Sequence, residues 1–237
     1  MKFVRLLAVL CFVLPSITPF ADPPQNAAVV PVPRDDKWWQ ERHKSFNDRA
    51  AKGDVDLVFI GDSITQGWEG AGKEVWDRIY APRKAMNLGI SGDRTQHVIW
   101  RLDNGNLQGI TPKVGVIMIG TNNMADNSAE EIAAGIDGVV KKLREKAPTC
   151  RILVLGVFPR SEKPDTTREK VAKTDRIISS LGEVTNVTYL DIGEKFLQPD
   201  KTISKDVMPD FLHLTPKGYQ IWADGIESTL KRLLQEK

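Results

Sequence analysis

Apolar residues in this chain fall into two alternating patterns. Short, near-continuous apolar runs occur at residues 55–60, 85–88, 114–119, 152–157 and 187–191. Between them lie longer stretches in which apolar positions recur every three or four residues, as in Ile132, Ile136, Val139, Val140 and Leu143. Continuous runs of four to six residues suit strands buried on both faces, and the three-to-four period suits amphipathic helices. Helices are predicted over 36–52, 73–80, 95–102, 128–146 and 167–181, with a last one opening at Thr215-Pro216. Two starts carry explicit signals. Ser128 followed by Glu131 forms a capping box, and Thr215 before Pro216 places a cap residue ahead of a proline in the first turn. Pro148 marks the end of the helix over 128–146. Strand–helix alternation of this kind builds a parallel sheet covered on both sides. The expectation is one three-layer α/β/α domain of the flavodoxin-like kind, with a five-stranded parallel sheet, over residues 37–237 and without internal repeats.

The first 21 residues break this rhythm. Lys2 and Arg5 form a basic start, an apolar run spans residues 6–14, and Pro15, Ser16 and Pro19 precede the small Ala21. This is the layout of a secretory signal peptide, and the apolar run is shorter than the roughly 20 residues that cross a bilayer. Ala28 is a second candidate for cleavage. Secretion or periplasmic delivery follows as an expectation, with no stable membrane span. Residues 22–36, rich in Pro and Ala, read as a flexible leader. The helix over 36–52 carries Trp38, Trp39 and Phe46 among charges and is expected to pack on the domain.

Charge excludes one class of partner. Removal of residues 1–21 takes away Lys2 and Arg5 and no acid, leaving 31 basic against 31 acidic residues. No basic patch argues for nucleic acid. Only Cys150 remains after Cys11 is removed, so no internal disulfide forms, and Cys150 reads as a small buried hydrophobe.

Candidate chemistry sits just after the strands. Gly61-Asp62-Ser63-Ile64-Thr65, Gly89-Ile90-Ser91-Gly92-Asp93 and Gly120-Thr121-Asn122-Asn123 each follow an apolar run, and Asp210-Phe211-Leu212-His213 lies near the C-terminus. In an open parallel sheet such loops converge on one crevice. Ser63 supplies a hydroxyl nucleophile, which needs a neighbouring base. His213 is the candidate base, and Asp210, three residues earlier, can hold the far nitrogen of its ring. Gly92 and Asn122 offer donors for an oxyanion beside the backbone amide of Ser63. The other histidines read as bystanders, His43 solvated in a charged helix and His97 a surface or packing residue at a helix start. Trp68 could wall an acyl pocket, although a loop anchor is the plainer reading. Asp210 and His213 alone give too few ligands for a metal site.

The ordered set Ser63, Gly92, Asn122 and Asp210-x-x-His213 resembles the SGNH (GDSL) hydrolase superfamily, over about residues 57–230. Within it, residues 89–107, 112–123 and 152–164 look like the catalytic subunits of intracellular platelet-activating-factor acetylhydrolase. The resemblance implies Ser63, Asp210 and His213 as a triad, Ser63, Gly92 and Asn122 as the oxyanion hole, and no metal or organic cofactor. It implies a serine esterase acting on short-chain, chiefly acetyl, esters of a small molecule, glycan or lipid. Two features depart from that subfamily: Ser91 stands where its motif commonly has Gly, and its animal members are cytosolic whereas this chain begins like an exported one. Those subunits are dimeric, which leaves a homodimer open here. Two rival readings use the same fold: an acyltransferase that passes the acyl group to an alcohol, and a non-catalytic binding module.

Overall fold

The structure, a computed structural model, describes residues 25–236, so the export segment read over 1–21 lies outside the described residues. Five strands form one parallel sheet: β1 (Leu57–Gly61), β2 (Ala85–Gly89), β3 (Val114–Met118), β4 (Arg151–Leu155) and β5 (Val187–Leu190). Their spatial order is β2-β1-β3-β4-β5. This is the flavodoxin-like order, with its switch point between β1 and β3. The register brings the last residue of β1, Gly61, level with Gly89 at the end of β2 and Met118 at the end of β3. Three carboxyl ends, and therefore three of the four candidate loops, emerge side by side.

Alternation along the strands feeds two cores. Val58, Ile60, Ile117, Ile152 and Val154 pack on one face. Leu57, Phe59, Val116, Leu153 and Leu155 pack on the other. The first face is covered by α1 (Lys37–Ala50), α4 (Thr95–Asp103), α5 (Ala129–Lys146) and α6 (Thr166–Ile178), and the second by α3 (Lys73–Ile79) and α7 (Pro216–Leu234), with the short α2 (Ser63–Gln66) leading away from β1. The signals read from the sequence appear as geometry. Ser128 Oγ accepts the Glu131 N–H while the Glu131 carboxylate accepts the Ser128 N–H. Thr215 Oγ1 accepts the Gly218 N–H, with Pro216 in the first turn of α7. Trp39 and Phe46 of α1 are buried, whereas Trp38 is exposed.

The second core is unusually aromatic. Trp68 is fully buried against Phe59, Trp76, Tyr80, Tyr219 and Trp222, with ring centroids 4.5–6.1 Å apart. It anchors the loop after α2 and walls no pocket. Cys150 is free and buried, and burial pushes its thiol up to about 12.

The leader behaves differently from its composition. Within residues 25–36 the chain lies along α4 and α5 as a strap. The Asn26 side chain donates to the Glu131 carbonyl at 3.1 Å and caps the following turn. Ala28 is fully buried, and its carbonyl accepts Thr95 Oγ1 at 2.7 Å. Val32 N–H donates to the Gln96 carbonyl at 3.4 Å, and Arg34 reaches Ser91. Pro and Ala suggest a flexible tether because they bury little, but here the prolines pre-set an extended path and the polar groups of Asn26 and Arg34 find partners.

These anchors make the two cleavage candidates unequal. A chain starting at Val29 loses both the Asn26 and Ala28 contacts and should be about 1–3 kcal/mol less stable than one starting at Asp22. Urea titration of the two chains measures this, and coincident curves would show that the strap is not held.

Candidate active site

Gly61 makes the turn out of β1 feasible, because a Cβ there would collide with Thr65 Oγ1 and the Met118 carbonyl. The turn leads directly into α2, with Asp62 as N-cap accepting the Ile64 N–H at 3.0 Å. Ser63 is the first helical residue, so its own N–H has no acceptor within the helix. Its hydroxyl is half-exposed at the carboxyl edge of the sheet. Tyr219 in α7 donates its hydroxyl to the Ile64 carbonyl at 2.7 Å, fixing the Ser63 turn to the last helix.

His213 reaches that hydroxyl from 150 residues away. Ser63 Oγ and His213 Nε2 are 2.9 Å apart, and His213 Nδ1 lies 2.6 Å from Asp210 Oδ2. The second carboxylate oxygen of Asp210 accepts the backbone N–H groups of Leu212 at 3.1 Å and His213 at 2.7 Å. This double hold requires a sharp bend, and the residue between, Phe211, has φ of +59°. A bulky residue there is strained, and strain of this kind persists only where the surroundings enforce it. Here the Phe211 N–H donates to Met208, its carbonyl accepts the Ser161 N–H, and the Lys205 ammonium lies 5.7 Å from its ring. Burial alone would raise the Asp210 carboxyl, but the hydrogen bonds from the His213 ring and backbone outweigh it and hold the group below its ordinary value. The pair is open to water, with about half of each side chain exposed.

The opposite wall is dry. Asp93, next to Gly92, is fully buried; Oδ1 accepts Trp39 Nε1 at 2.7 Å and Oδ2 accepts Arg101 Nε at 2.8 Å. Arg101, also fully buried, donates to the carbonyls of Leu88 at 3.0 Å and Gly61 at 3.4 Å, and to Asn106 Oδ1 at 2.8 Å. It therefore ties the ends of β1 and β2 to the loop after β2, through Asp93, and to the segment after α4, through Asn106. Burial works against both charges, pushing the Asp93 carboxyl up and the Arg101 guanidinium down. Their direct contact, with Trp39 donating to Asp93 as well, opposes that push on both groups.

The two neighbouring asparagines divide their labour. Asn122 Nδ2 donates one proton to the Asp93 carbonyl at 2.8 Å, which aims the amide and leaves its second N–H directed elsewhere. Asn123 is buried; its oxygen accepts the Thr95 N–H and its nitrogen donates to Gln96 and Asn127. The Gly92 loop is bridged to α2 as well, because Ser91 N–H donates to Gln66 Oε1 at 2.7 Å. Among the residues singled out from sequence, Ser63, His213 and Asp210 are joined by hydrogen bonds, and Asn122 bonds to the carbonyl of Asp93, next to Gly92. Asp93, Arg101, Gln66, Tyr219 and Asn123 support them and were not singled out. Arg101 had a readable signal, an arginine on the apolar stripe of a helix between Ile99 and Leu102.

The expectation for His43 needs correction, whereas His97 is the packing residue at a helix start that was expected. His43 is buried, stacked on Trp39 at 5.6 Å and bonded to Asn106, because α1 turns this face inward; burial and the Arg101 charge lower its pKa. His97 caps α4 through Nδ1, which accepts the Arg94 N–H at 3.0 Å, and burial with nearby arginines pulls it down to about 4. A cavity of about 510 Å³, lined by Val157, Pro159, Asp175, Tyr189 and Asp191 among others, includes none of the site residues. Among the described residues no cluster of His, Cys, Asp and Glu could hold a metal ion, and no helix is long and apolar enough to cross a membrane.

An open parallel sheet carrying a hydroxyl–imidazole–carboxylate sequence at its carboxyl edge has the parts of an acyl-transfer enzyme. The chain belongs to the GDSL-like lipase/acylhydrolase family, whose model matches residues 59–221, and it is a carboxylic ester hydrolase. Platelet-activating factor acetylhydrolase IB subunit alpha2 of Rattus norvegicus is 40% identical over 217 residues, spanning 89% of this chain and 93% of its own. Among solved structures, a GDSL-like lipase from Bacteroides thetaiotaomicron matches with a TM-score of 0.63 and 18% identity over 80% of this chain and 97% of its own. A catalytic mutant of an acetylxylan esterase from Geobacillus stearothermophilus matches with a TM-score of 0.60 and 19% identity over 78% and 96%. These two show the shared fold.

The dry wall makes two predictions. Arg101→Leu leaves the Asp93 carboxylate buried without its main partner and should cost about 3–5 kcal/mol of stability in urea titration. A loss within 1 kcal/mol would mean that the pair is not what holds the loop. Asp62 is fully buried with Oδ2 unpartnered, and burial raises its pKa from 3.8 to about 7. The folded chain then binds this proton more tightly than the unfolded one. The stabilising contribution is complete below pH 4 and is lost as pH rises through 7. At about 1.4 kcal/mol per pKa unit, Asp62→Asn should gain a few kcal/mol on the wild type between pH 4 and 7. Parallel stability curves across that range would refute the shift.

Proposed function

We propose that this chain is an exported serine esterase that hydrolyses short-chain, chiefly acetyl, esters through a Ser63-His213-Asp210 triad. The observation that carries the reading is the pair of contacts on opposite sides of one imidazole, 2.9 Å to the Ser63 hydroxyl and 2.6 Å to the Asp210 carboxylate. In this reading Ser63 Oγ attacks the ester carbonyl carbon while His213 Nε2 takes its proton. Asp210 keeps the ring oriented and stabilises the imidazolium. The carbonyl oxygen, now negative, lies among the Ser63 N–H, the Gly92 N–H and the free N–H of Asn122 Nδ2. Collapse expels the alcohol, which takes the proton from Nε2 and leaves Ser63 acylated. Water then attacks the acyl carbon, with Nε2 again accepting the proton, and the acid departs as Ser63 recovers its hydrogen.

Acetyl as the acyl group is supported from two directions. The named relative is an acetylhydrolase and a structural neighbour is an acetylxylan esterase, so one acyl group recurs beside two different alcohols. Export is supported by the basic start and short apolar run before Ala21, and delivery to the periplasm or exterior suits an ester on a glycan or lipid outside the cytoplasm. Cleavage after Ala21 keeps the strap anchored, which favours it over cleavage after Ala28.

Acetate release from p-nitrophenyl acetate should fall at least about 10³-fold in Ser63→Ala and in His213→Ala, and the double variant should lose little more, as residues acting as one unit do. Equal rates in wild type and Ser63→Ala would end the reading. A panel of acetylated xylan, acetylated sialic acid and short-chain phospholipid then identifies the alcohol, and faster cleavage of butyrate than acetate would overturn the acyl preference.

A further inference from the structure

We propose that Arg34 is a positioning residue for the oxyanion hole: its guanidinium holds the peptide unit that carries the Gly92 N–H. The proposal rests on the esterase reading above and adds a residue from outside the family match, which begins at residue 59.

Ile90, Ser91, Gly92 and Asp93 form a four-residue turn closed by the Asp93 N–H donating to the Ile90 carbonyl at 3.1 Å. Gly92, third in the turn, has φ of +77°. That value belongs to a type II turn, in which the third position takes positive φ and glycine is preferred. Types I and II differ by a flip of the central peptide, here the one joining Ser91 to Gly92. Glycine tolerates both forms, so the residue itself does not choose between them.

The choice matters because the peptide is planar and trans. Its carbonyl belongs to Ser91 and its N–H to Gly92, and the two point in opposite directions. Whatever grips the Ser91 oxygen therefore aims the Gly92 N–H. Arg34 Nη1 donates to that oxygen at 2.7 Å, a short charge-assisted bond. The same nitrogen lies 3.7 Å from the buried Asp93 Oδ1, and it would sit 3.0 Å from a Cβ placed on Gly92. The guanidinium thus packs against the turn on the side of the Ser91 carbonyl, with the Gly92 N–H facing away from it. A flipped turn would present the Gly92 N–H to the cation and turn the Ser91 carbonyl dipole towards the cleft, where it would repel an oxyanion.

Arg34 is itself held. Asp36 Oδ2 accepts Nε and faces Nη2, both at 3.0 Å, and the Arg34 carbonyl accepts Gln40 Nε2 at 2.6 Å. Pro33 restricts the backbone before it. On the other side of the turn, Gln66 holds the Ser91 N–H. The turn is clamped at both of its first two peptide units, one clamp coming from the nucleophile helix and the other from the N-terminal strap.

The test measures kcat and KM for p-nitrophenyl acetate in wild type, Arg34→Ala and Arg34→Lys, with melting temperatures alongside. Loss of an entire oxyanion donor costs about 10²–10³ in rate. A donor that is present but misaimed part of the time should cost less, about 10–100-fold in kcat with KM within about threefold. Arg34→Lys should recover part of the loss, and guanidinium at millimolar concentration should raise kcat of Arg34→Ala but not of Asn122→Ala. A crystal structure of Arg34→Ala should show the Ser91–Gly92 peptide flipped or in two orientations. Unchanged kcat in Arg34→Ala, a loss confined to KM, or a single ordered type II turn without the arginine would overturn the proposal. Failure of the esterase reading looks different: the wild type itself is inactive and a fluorophosphonate leaves Ser63 unlabelled, while the turn geometry of the variant still decides the role of Arg34.

Discussion

A single carboxylate shut away from water, that of Asp93, organises the edge of the sheet where the chemistry lies. Its two oxygens take Trp39 from α1 and Arg101 from α4, and through Arg101 the ends of β1 and β2 are drawn together. Its backbone carbonyl takes Asn122 from the loop after β3. A buried charge is tolerated only where its partners are complete, so each of these elements has one place it can occupy. The arrangement is rigid because relaxing it would leave a charge unsolvated.

That rigidity sits on one side of the cleft only. The proposed oxyanion donors belong to loops locked by buried polar contacts and a clamped turn. The proposed base hangs on an exposed loop whose bend depends on one strained residue, Phe211. The asymmetry suits the two tasks. Stabilising a developing negative charge works best with dipoles that need no reorganisation as the charge forms. A proton carrier must instead exchange with the departing alcohol and the arriving water, and an imidazole near solvent meets both. The aromatic core beneath the Ser63 turn complements this division: Tyr219, packed on Trp68, holds the Ile64 carbonyl from below, while the Ser63 hydroxyl meets His213 above.

Much of this was legible before any coordinates. Strand and helix positions agreed with the apolar runs to within a few residues, because a strand buried on both faces admits few polar side chains and so marks itself. The cap residues Ser128 and Thr215 were readable for a local reason, since the groups they satisfy lie two or three residues away. The proposed triad and donors could be singled out because three of their motifs follow strands in order, and a parallel sheet delivers such loops to one edge. His43 was misjudged because its helix is charged on average; only the packing of Trp39 and Trp100 around it shows that this face turns inward. The strap was misjudged for the converse reason, as a Pro- and Ala-rich stretch says nothing about which carbonyls lie opposite.

By itself, then, the chain's pattern of apolar runs and post-strand motifs determined the sheet, its covering helices and which side chains are proposed to react, because each is written in local periodicity or in residues that only certain turns accept. Tertiary structure alone decided how those residues are held: that Arg101 and Asp93 meet in the dry, that one asparagine of a pair bonds to the Asp93 carbonyl while its neighbour bonds to Thr95, Gln96 and Asn127, and that Arg34 lies on the Ser91 carbonyl. These are contacts between segments 8 to 57 residues apart, and their free energies depend on burial and direction, which no stretch of sequence carries until the sheet has brought the segments together.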